Sequence, residues 1–323
     1  MDWGDYLQSG LPSGAVEPNF PLSRRTTLRI GGPASWCVTV HTREHLVWLI
    51  RESIREGIPW FLLGGGSNVL FADRGFEGVV IVNQLDKLPE EGGQVIEAGA
   101  GAVLMDLIRF AEAHCLGGFE KMAGIPGSVG GAIVGNAGAY GRCIGELIES
   151  VDLITEGGEI ERANPDVLEF DYRHSKLKDR HDVVLSARFR LVDAARENLT
   201  GTIEEVLAVR AGKHPPHDAA TAGSFFKNLP PEEPGGKRVA AGLILDRAGA
   251  KGMRVGDAVV FQDHGNIVVN EGSATAREVL ELTGKMKQLA YERTAIRLEE
   301  EVRRIGFSDE ELNEFSPRQA VLL

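Results

Sequence analysis

Cysteine is scarce in this chain, which has three cysteines in 323 residues, at positions 37, 115 and 143. The number is odd and the spacing fits no metal site, so we expect buried or inert thiols in a reducing cytoplasm. Long apolar runs are missing too, since none approaches the ~18 residues of a membrane span. The N-terminal segment MDWGDYLQSGLPSG has neither the basic nor the apolar region of a secretory signal, and none is expected.

Positive charge is also in short supply, with 35 Lys and Arg against 47 Asp and Glu and a net charge of −12. This balance argues against general nucleic-acid binding, which needs a basic face. It does not exclude an anionic small molecule, because a local basic pocket can lie in an acidic protein. With 43% hydrophobic and 25% charged residues, the composition indicates a globular protein, and the length favours two domains.

The most unusual segment is the glycine stretch, residues 122–141 (MAGIPGSVGGAIVGNAGAYG). Its seven glycines weaken an ordinary helix or strand, but they allow positive φ angles and close approach of the backbone to a ligand. The residues between them are mostly small or aliphatic, and none is acidic. Such a surface suits a large planar ligand that carries a diphosphate. A tight loop in a packed core is the alternative.

A second ligand-like loop follows a predicted strand, where Pro59–Leu63 leads into Gly64-Gly65-Gly66-Ser67-Asn68. The loop matches neither GxxxxGK[ST] nor GxGxxG, so it lacks the defining residues of a P-loop and of a Rossmann fingerprint.

Helical and strand patterns alternate along the chain, which predicts an α+β or α/β domain. The chain becomes polar near Asp193–Leu199, so we place a boundary there: residues 1–195, with a loose extension over about 1–20, and residues 196–323. We expect strands at Trp36–Val40, Pro59–Leu63, Gly78–Val82, Gln94–Gly99, Asp182–Val192 and Val259–Val269, a hairpin over Val151–Ala163, a solvated loop at Leu229–Arg238, and helices at Arg43–Glu56, Val103–His114, Thr202–Ala211 and Thr275–Arg293.

Four polar residues lie in apolar or glycine-rich surroundings: Arg173, Lys213, Ser224 and Glu301. Each has an ordinary alternative, namely a salt bridge, a solvated helix end, a turn or cap, and a solvated charge run. As a set they are more informative. Arginine binds a carboxylate with both oxygens, lysine binds a phosphate, and serine with glutamate can position a proton on a reacting carbon.

Two other chemistries are not expected. His214 and His217 are the histidines nearest to Ser224 in sequence, and they lie in a proline-rich segment without a G-x-S-x-G elbow, so a hydrolase triad is not indicated. No spacing of Cys, His and carboxylates indicates a metal site.

These segments resemble the UDP-N-acetylenolpyruvoylglucosamine reductase (MurB) family from about Phe20 to Gly306. The motifs that carry the resemblance occur in the family's order: TTLRIGGPA (26–34), LGGGSNVL (63–70), GIPGSVGGAIVGNAGAYG (124–141), YRHS (172–175), AGSFFKN (222–228) and LEEEVRRIG (298–306).

The resemblance implies an α+β fold: a vanillyl-alcohol-oxidase (PCMH) type FAD-binding domain of two α+β lobes, followed by a smaller α+β substrate-binding domain. It implies non-covalent FAD and NADPH as co-substrate. The reaction would reduce UDP-N-acetylglucosamine enolpyruvate to UDP-N-acetylmuramate in peptidoglycan precursor synthesis. The expected partners are small molecules in the cytoplasm, with no nucleic acid, membrane or obligate protein partner.

By position in the motifs, Ser224 matches the acid that protonates C2, and Arg173 and Glu301 match the residues that stabilise the enol-like intermediate. Tyr172, Lys213 and Asn228 match substrate-binding residues. The two glycine loops would hold the cofactor through Gly64, Gly65, Gly66, Ser67, Asn68, Gly124, Pro126, Gly127, Ser128, Gly131, Gly135 and Asn136.

The chain departs from the family's pattern in two places. Leu229 follows Asn228 where the family usually has proline, which leaves the local loop geometry open. No tyrosine occurs between Tyr172 and Lys213, so we expect the subtype that lacks a tyrosine-bearing loop.

Two alternative functions stay open from the sequence. A flavin oxidase on the same fold often tethers FAD through a His or Cys near the glycine loops, and residues 64–68 contain neither. A non-catalytic nucleotide-binding module would not need Arg173, Ser224 and Glu301 together.

Overall fold

Helices and strands alternate along the chain in the computed structural model, which describes residues 3–231, 233 and 236–315. The α-helices, in chain order, are α1 (Trp3–Gly10), α2 (Arg43–Glu56), α3 (Leu104–Ala113), α4 (Val129–Val134), α5 (Arg196–Ala211), α6 (Ala241–Ala248), α7 (Ala276–Thr294) and α8 (Asp309–Glu314). The strands are β1 (Val16–Pro21), β2 (Pro33–Val40), β3 (Trp60–Leu63), β4 (Val69–Phe71), β5 (Phe76–Asn83), β6 (Val95–Gly99), β7 (Leu116–Gly117), β8 (Gly138–Ala139), β9 (Arg142–Cys143), β10 (Ile148–Ile154), β11 (Ile160–Ala163), β12 (Val183–Arg190), β13 (Val192–Asp193), β14 (Thr221–Ser224), β15 (Arg254–Val255), β16 (Ala258–Val260), β17 (Ile267–Asn270) and β18 (Arg303–Ile305).

The described residues divide into two compact units. The first unit contains residues 3–20, 35–65 and 78–212, and the second unit contains residues 21–34, 66–77 and those from 213 onward. The chain therefore passes from one unit to the other in the middle of the glycine loop at 64–68.

The first unit is built on two four-stranded sheets. One has the order β1-β2-β5-β3, with β3 and β5 parallel, and the other has the antiparallel order β11-β10-β12-β6. Each sheet contributes to its own apolar core, one around Leu46 and Ile81 and one around Leu107 and Phe189, all of them buried. The mixture of sheets and helices agrees with the predicted α+β class.

Helix α2 shows why the local predictions succeed. Thr42 accepts a hydrogen bond from the backbone N–H of His45 at 3.2 Å, and the helix ends at Gly57, whose φ of 65° is left-handed. Both ends are the ones that the sequence predicts. Leu46, Leu49 and Ile50 form the buried face of this helix, whereas Ile54 is 38% exposed.

The second unit has one antiparallel sheet, β14-β17-β16-β15, and a parallel pair, β18 with β4. Helix α7 opens with a capping box, in which the side chains of Thr275 and Glu278 each accept from the other's backbone N–H. Asp73 adds a further cap by accepting from the N–H groups of Ala276 and Arg277 at 2.8 and 3.0 Å. The segment Gly66–Glu77 is thereby joined to a helix that begins 203 residues after Asp73 in the chain.

Two predictions about chain organisation need correction. The N-terminal segment is not loose: it forms α1 and β1, and Leu7 is fully buried in the core of the first unit. Helix α5 begins at Arg196, earlier than expected, and buries Ile203 and Val206 in the first unit's core. The compact units therefore divide after Gly212 and not after residue 195. The division into an FAD-binding and a substrate-binding domain stays a prediction.

The expectation of buried or inert thiols is met only in part. Cys37 is buried, but Cys115 is exposed. Of the loop predicted at Leu229–Arg238, residues 232, 234 and 235 lie outside the described part of the chain. Among the residues described, no helix is long and apolar enough to span a membrane. Over the same residues, no group of three or more His, Cys, Asp or Glu side chains could hold a metal ion.

Candidate functional site

In the first unit the two glycine loops lie directly against each other. A Cβ atom on Gly65 would lie 2.9 Å from the Cα atom of Gly127, and one on Gly64 would lie 2.3 Å from the Oγ atom of Ser128. No side chain other than hydrogen fits at these two positions without movement. We call Gly64, Gly65, Gly127 and Ser128 the glycine cradle.

The glycine cradle continues into the start of helix α4. Gly127 has a φ of 122°, and its carbonyl accepts from the N–H of Leu104 at 3.0 Å. Ser128 then caps the helix by accepting from the N–H of Gly131 at 3.3 Å. Backbone amides and one hydroxyl therefore form this part of the glycine stretch.

Asn136 anchors the turn that precedes Arg173. It is only 4% exposed, its Nδ2 donates to the carbonyl of Asp171 at 2.8 Å, and its Oδ1 accepts from the N–H of Gly145 at 3.1 Å. Its φ of 42° is uncommon for a residue with a side chain, although asparagine tolerates it better than most. These contacts give Asn136 a positioning role in addition to the predicted cofactor contact, which stays a prediction.

Arg173 lies in a tight turn in which Asp171 and His174 exchange two backbone hydrogen bonds of 3.0 and 3.1 Å. Its φ of 53° is left-handed. The Nη1 atom donates to the carbonyl of Gly138 at 3.0 Å, and the guanidinium lies 5.4 Å from the ring centre of Tyr172. The turn therefore holds Arg173 and Tyr172 against the glycine stretch.

The second part of the 64–68 loop belongs to the second unit. Gly66 has a φ of 63°, and a Cβ there would lie 2.0 Å from the carbonyl oxygen of Arg25. Asn68 donates from Nδ2 to the carbonyl of Glu301 at 3.3 Å and accepts at its own carbonyl from the N–H of Arg303 at 3.1 Å. Asn68 therefore positions the chain that carries Glu301.

Ser224 and Glu301 lie on neighbouring extended segments of the second unit. The N–H of Glu301 donates to the carbonyl of Phe225, and the N–H of Lys227 donates to the carbonyl of Glu299, both at 2.8 Å. Phe226 and Glu300 form the bridge between these two bonds. The structure thus pairs the backbone segments that carry two of the three predicted catalytic residues.

The same pairing separates the roles of the three consecutive glutamates, because side chains on an extended segment alternate in direction. Glu299 is 73% exposed and pairs with Lys227. The side chain of Glu300 is 17% exposed and pairs with Lys287 at 2.7 Å and with Arg304. Glu301 is half-buried and, by this alternation, lies on the side opposite to Glu300; its role as the catalytic acid stays a prediction.

Gly223 was not predicted as a site residue, but it determines where Ser224 points. Strands β14 and β17 lose register between Thr221 and Ser224, and Gly223 has a φ of 73° at this irregularity. Bulges often re-aim a side chain beside an active site. The glycine directly before a candidate serine is the sequence signal that could have found it.

Lys213 and Asn228, the predicted substrate residues of the second unit, lie in different settings. Lys213 is exposed, whereas the Oδ1 of Asn228 accepts from the N–H of Ala241 at 3.1 Å at the start of α6. Nearby, burial lowers the pKa of His264, an effect that Asp246 opposes and that the charge of Lys213 increases. His264 therefore favours its neutral form at neutral pH.

The predicted residues fall into two groups. Gly64, Gly65, the predicted cofactor residues within 124–136, Tyr172 and Arg173 belong to the first unit. Gly66, Ser67, Asn68, Lys213, Ser224, Asn228 and Glu301 belong to the second unit.

The chemistry of the glycine cradle fits a flavin dinucleotide. Gly64 and Gly65 let the two loops pack backbone to backbone, and the cradle carries amides, a serine hydroxyl and no carboxylate. A planar ring system needs such close approach, and a diphosphate needs amide donors without a competing negative charge.

Comparison with known proteins agrees with this chemistry. Residues 34–164 match the model of an FAD binding domain, and residues 214–305 match that of the UDP-N-acetylenolpyruvoylglucosamine reductase C-terminal domain. The reductase of Pelobacter propionicus is 41% identical over 287 residues, covering 88% of this chain and 94% of the relative. That of Syntrophus aciditrophicus is 38% identical over 299 residues, covering 91% and 93%.

A solved structure extends the likeness to the fold. The crystal structure of UDP-N-acetylenolpyruvylglucosamine reductase (MurB) from Thermus caldophilus has a TM-score of 0.74 to this chain and 35% identity. It covers 88% of this chain, which in turn covers 97% of that structure. On these matches, this chain belongs to the UDP-N-acetylenolpyruvoylglucosamine reductase family.

Proposed function

We propose that the chain reduces UDP-N-acetylglucosamine enolpyruvate to UDP-N-acetylmuramate, with Arg173, Ser224 and Glu301 as its catalytic residues. As a member of its family, the chain is an FAD-dependent oxidoreductase of peptidoglycan precursor synthesis, with NADPH as co-substrate. The single observation that supports the catalytic assignment is the pairing of the Ser224 and Glu301 segments through the hydrogen bond from Glu301 to Phe225.

The backbone of the glycine cradle would hold FAD, together with Gly124 and Gly131 of the glycine stretch. When bound, FAD would supply the hydride-transfer chemistry that links NADPH to C3 of the substrate. The cradle's part is to position the ring system and to exclude water from one of its faces.

The remaining step is proton delivery, since hydride addition at C3 leaves negative charge at C2 and on the adjacent carboxylate. Arg173 would stabilise that charge with its planar guanidinium, which is held by Gly138 and Tyr172. Ser224 would give the proton from Oγ to C2. Glu301 would polarise the intermediate, and in enzymes generally a preorganised group of this kind contributes ~3 kcal/mol.

Lys213 and Tyr172 would bind the substrate, Lys213 as a point charge on a phosphate. Asn228 would contribute an amide at the start of α6. The absence of a tyrosine between Tyr172 and Lys213 supports the subtype without a tyrosine-bearing loop. We place the reaction in the cytoplasm, where UDP-sugars and NADPH occur, with small molecules as the only partners.

The proposal is tested by following the flavin spectrum through both half-reactions. Under anaerobic conditions, NADPH should bleach the flavin absorbance, and UDP-N-acetylglucosamine enolpyruvate should restore it. Bleaching that recovers only with oxygen would instead indicate an oxidase.

Ser224→Ala tests the proton donor separately. This variant should be reduced by NADPH at nearly the wild-type rate but reoxidised by substrate ~10²-fold or more slowly. Ser186→Ala is the matched control, since the Ser186 hydroxyl donates to Glu97 in the other unit. Equal loss in both half-reactions of Ser224→Ala would contradict the assignment.

A further inference from the structure

Arg210, which no motif singles out, lies against the backbone of the glycine stretch. It is in the last turn of α5, and a Cβ on Gly124 would lie 2.9 Å from its Nε atom and 3.0 Å from its Cδ atom. Gly124 also has a φ of 73°. A glycine at 124 therefore allows the Arg210 side chain to run along this backbone, where a larger residue would displace it.

The charge of Arg210 has no counter-ion in the part of the chain that the structure describes. Burial lowers the pKa of its guanidinium, an effect that Tyr140 opposes and that the charge of Arg173 increases, with no carboxylate among these groups. Other arginines of the same unit differ: Arg109 pairs with Glu112 at 2.7 Å, and Arg162 pairs with Asp152 at 2.6 Å.

A partly buried guanidinium without a counter-ion is unfavourable, because it has lost hydration that no negative charge replaces. The surrounding glycine stretch offers neutral amides and no acidic side chain. An anionic group on a bound ligand would supply the missing charge. Arg173 is already assigned to the substrate, which leaves Arg210 for the ligand that occupies the stretch.

We propose that Arg210 is an anion-binding residue for FAD, which holds a negative charge of the cofactor against Gly124. This inference rests on the proposed function, in that FAD occupies the glycine cradle. Two parts of FAD could carry the charge: the diphosphate, which is anionic in both redox states, and the ring edge, which gains charge when a hydride is added.

The test compares Arg210→Gln with Arg196→Gln, which removes the same charge from an exposed position in the first turn of the same helix. For each purified protein, the FAD dissociation constant and the midpoint potential of bound FAD are measured, neither of which depends on turnover. Arg210→Gln should weaken FAD binding about tenfold or lower the potential, whereas Arg196→Gln should do neither. Arg210→Lys keeps the charge and should recover part of the effect.

The two parts of FAD that could carry the negative charge, the diphosphate and the ring edge, predict different results. If the diphosphate is the partner, the affinity for oxidised FAD falls and the affinity for riboflavin does not. If the ring edge is the partner, the potential falls while oxidised FAD binds as in the wild type. Wild-type affinity and potential in Arg210→Gln would overturn the inference, as would an effect on substrate binding alone. Wild-type protein that binds no FAD would instead overturn the proposed function.

Discussion

The glycine cradle of the first unit and the Ser224–Glu301 pair of the second unit form candidate binding surfaces in opposite ways. In the cradle, the backbone itself is presented, and Gly64 and Gly65 leave no room for a Cβ. In the Ser224–Glu301 pair, extended segments present side chains in alternating directions, so that Glu300 lies on the side opposite to Glu299 and Glu301. The first surface is therefore sensitive to added atoms, and the second is sensitive to lost functional groups.

The largest expected effect is at Glu301, one of three consecutive glutamates in the second unit. Glu301→Gln keeps the shape of the side chain but removes its charge, so flavin reoxidation by substrate should slow ~10²- to 10³-fold, with reduction by NADPH unchanged. Stopped-flow absorbance of the two half-reactions measures this directly.

The neighbouring glutamates are the controls. Glu299→Gln should change nothing, because its side chain is 73% exposed. Glu300→Gln breaks the cluster with Lys287 and Arg304, so it should lower the free energy of unfolding by ~1–3 kcal/mol, discounted for partial exposure, with little effect on chemistry. Slow flavin reoxidation by substrate in Glu299→Gln or Glu300→Gln, with normal reoxidation in Glu301→Gln, would show that the wrong glutamate was chosen.

Adding a single carbon to the cradle should have the next largest effect. Gly65→Ala places a Cβ 2.9 Å from the Cα atom of Gly127, so the two loops must separate. FAD affinity should fall ~10-fold or more, with ~1–3 kcal/mol lost in stability. Flavin fluorescence and urea denaturation measure the two quantities.

Gly201→Ala is the matched control for the cradle. Gly201 lies within α5, and a Cβ there would meet no atom within 4 Å. The change should leave FAD binding intact and stabilise the helix by ~0.5–1 kcal/mol. A similar loss of FAD in both variants would mean that the effect does not come from the cradle.

Variants of Asn136 test whether the position of Arg173 in the first unit depends on the Asn136 side chain. Asn136→Ala removes the bonds to Asp171 and Gly145 and should cost ~1–3 kcal/mol, because the part-buried N–H of Gly145 loses its acceptor and the carbonyl of Asp171 keeps only the bond from His174. Asn136→Asp keeps the acceptor for Gly145 but not the donor to Asp171. If the turn positions Arg173, both variants should raise the substrate KM, and Asn136→Asp should do so less.

The smallest expected effect is the pH dependence of stability due to Asp152, which lies in the antiparallel sheet of the first unit. Hydrogen bonding to Arg162, opposed by burial and reinforced by Arg43, holds the pKa of the Asp152 carboxyl below its usual range. Its folded-state pKa is lowered, so its stabilisation is present above the ordinary carboxyl pKa of ~3.9 and is lost as pH falls through the folded value.

Asp152→Asn should therefore be ~1 kcal/mol less stable than the wild type near pH 7, with a difference that shrinks below about pH 4. Denaturation at both pH values measures the change. Glu90→Gln, at a carboxyl that is 78% exposed, is the control and should show no measurable change. A difference that grows in acid would contradict the sign.

Local features of the fold were predictable because neighbouring residues decide them. Thr42 and Gly57 set the ends of α2, and Thr275 with Glu278 sets the start of α7. The start of α5 was missed, since Arg196–Gly201 has no apolar periodicity of its own and Ala195 has no capping side chain. The helix forms there because Leu199 and Ile203 are buried by distant segments.

The candidate site likewise has residues that the sequence predicted and features that only the structure revealed. The motifs placed the glycines and named Ser224, Arg173 and Glu301, but the alternation that separates Glu301 from Glu300 needed the pairing with Phe225 and Phe226. Gly223 and Arg210 were not found, because a bulge and an uncompensated charge are properties of surroundings and not of a short motif.

The sequence by itself determined the family, the α+β class, the capped helices and the absence of acidic side chains from the glycine stretch, because these depend on residue type and short spacing. Only the tertiary structure decided that the segments Pro21–Ala34 and Gly66–Glu77 belong with the C-terminal unit. In the first of these segments, the Thr27 hydroxyl donates to the carbonyl of Thr221 at 2.6 Å, across 194 positions of the chain. Contacts over such separations depend on which apolar surfaces are buried together, and no local pattern encodes that choice.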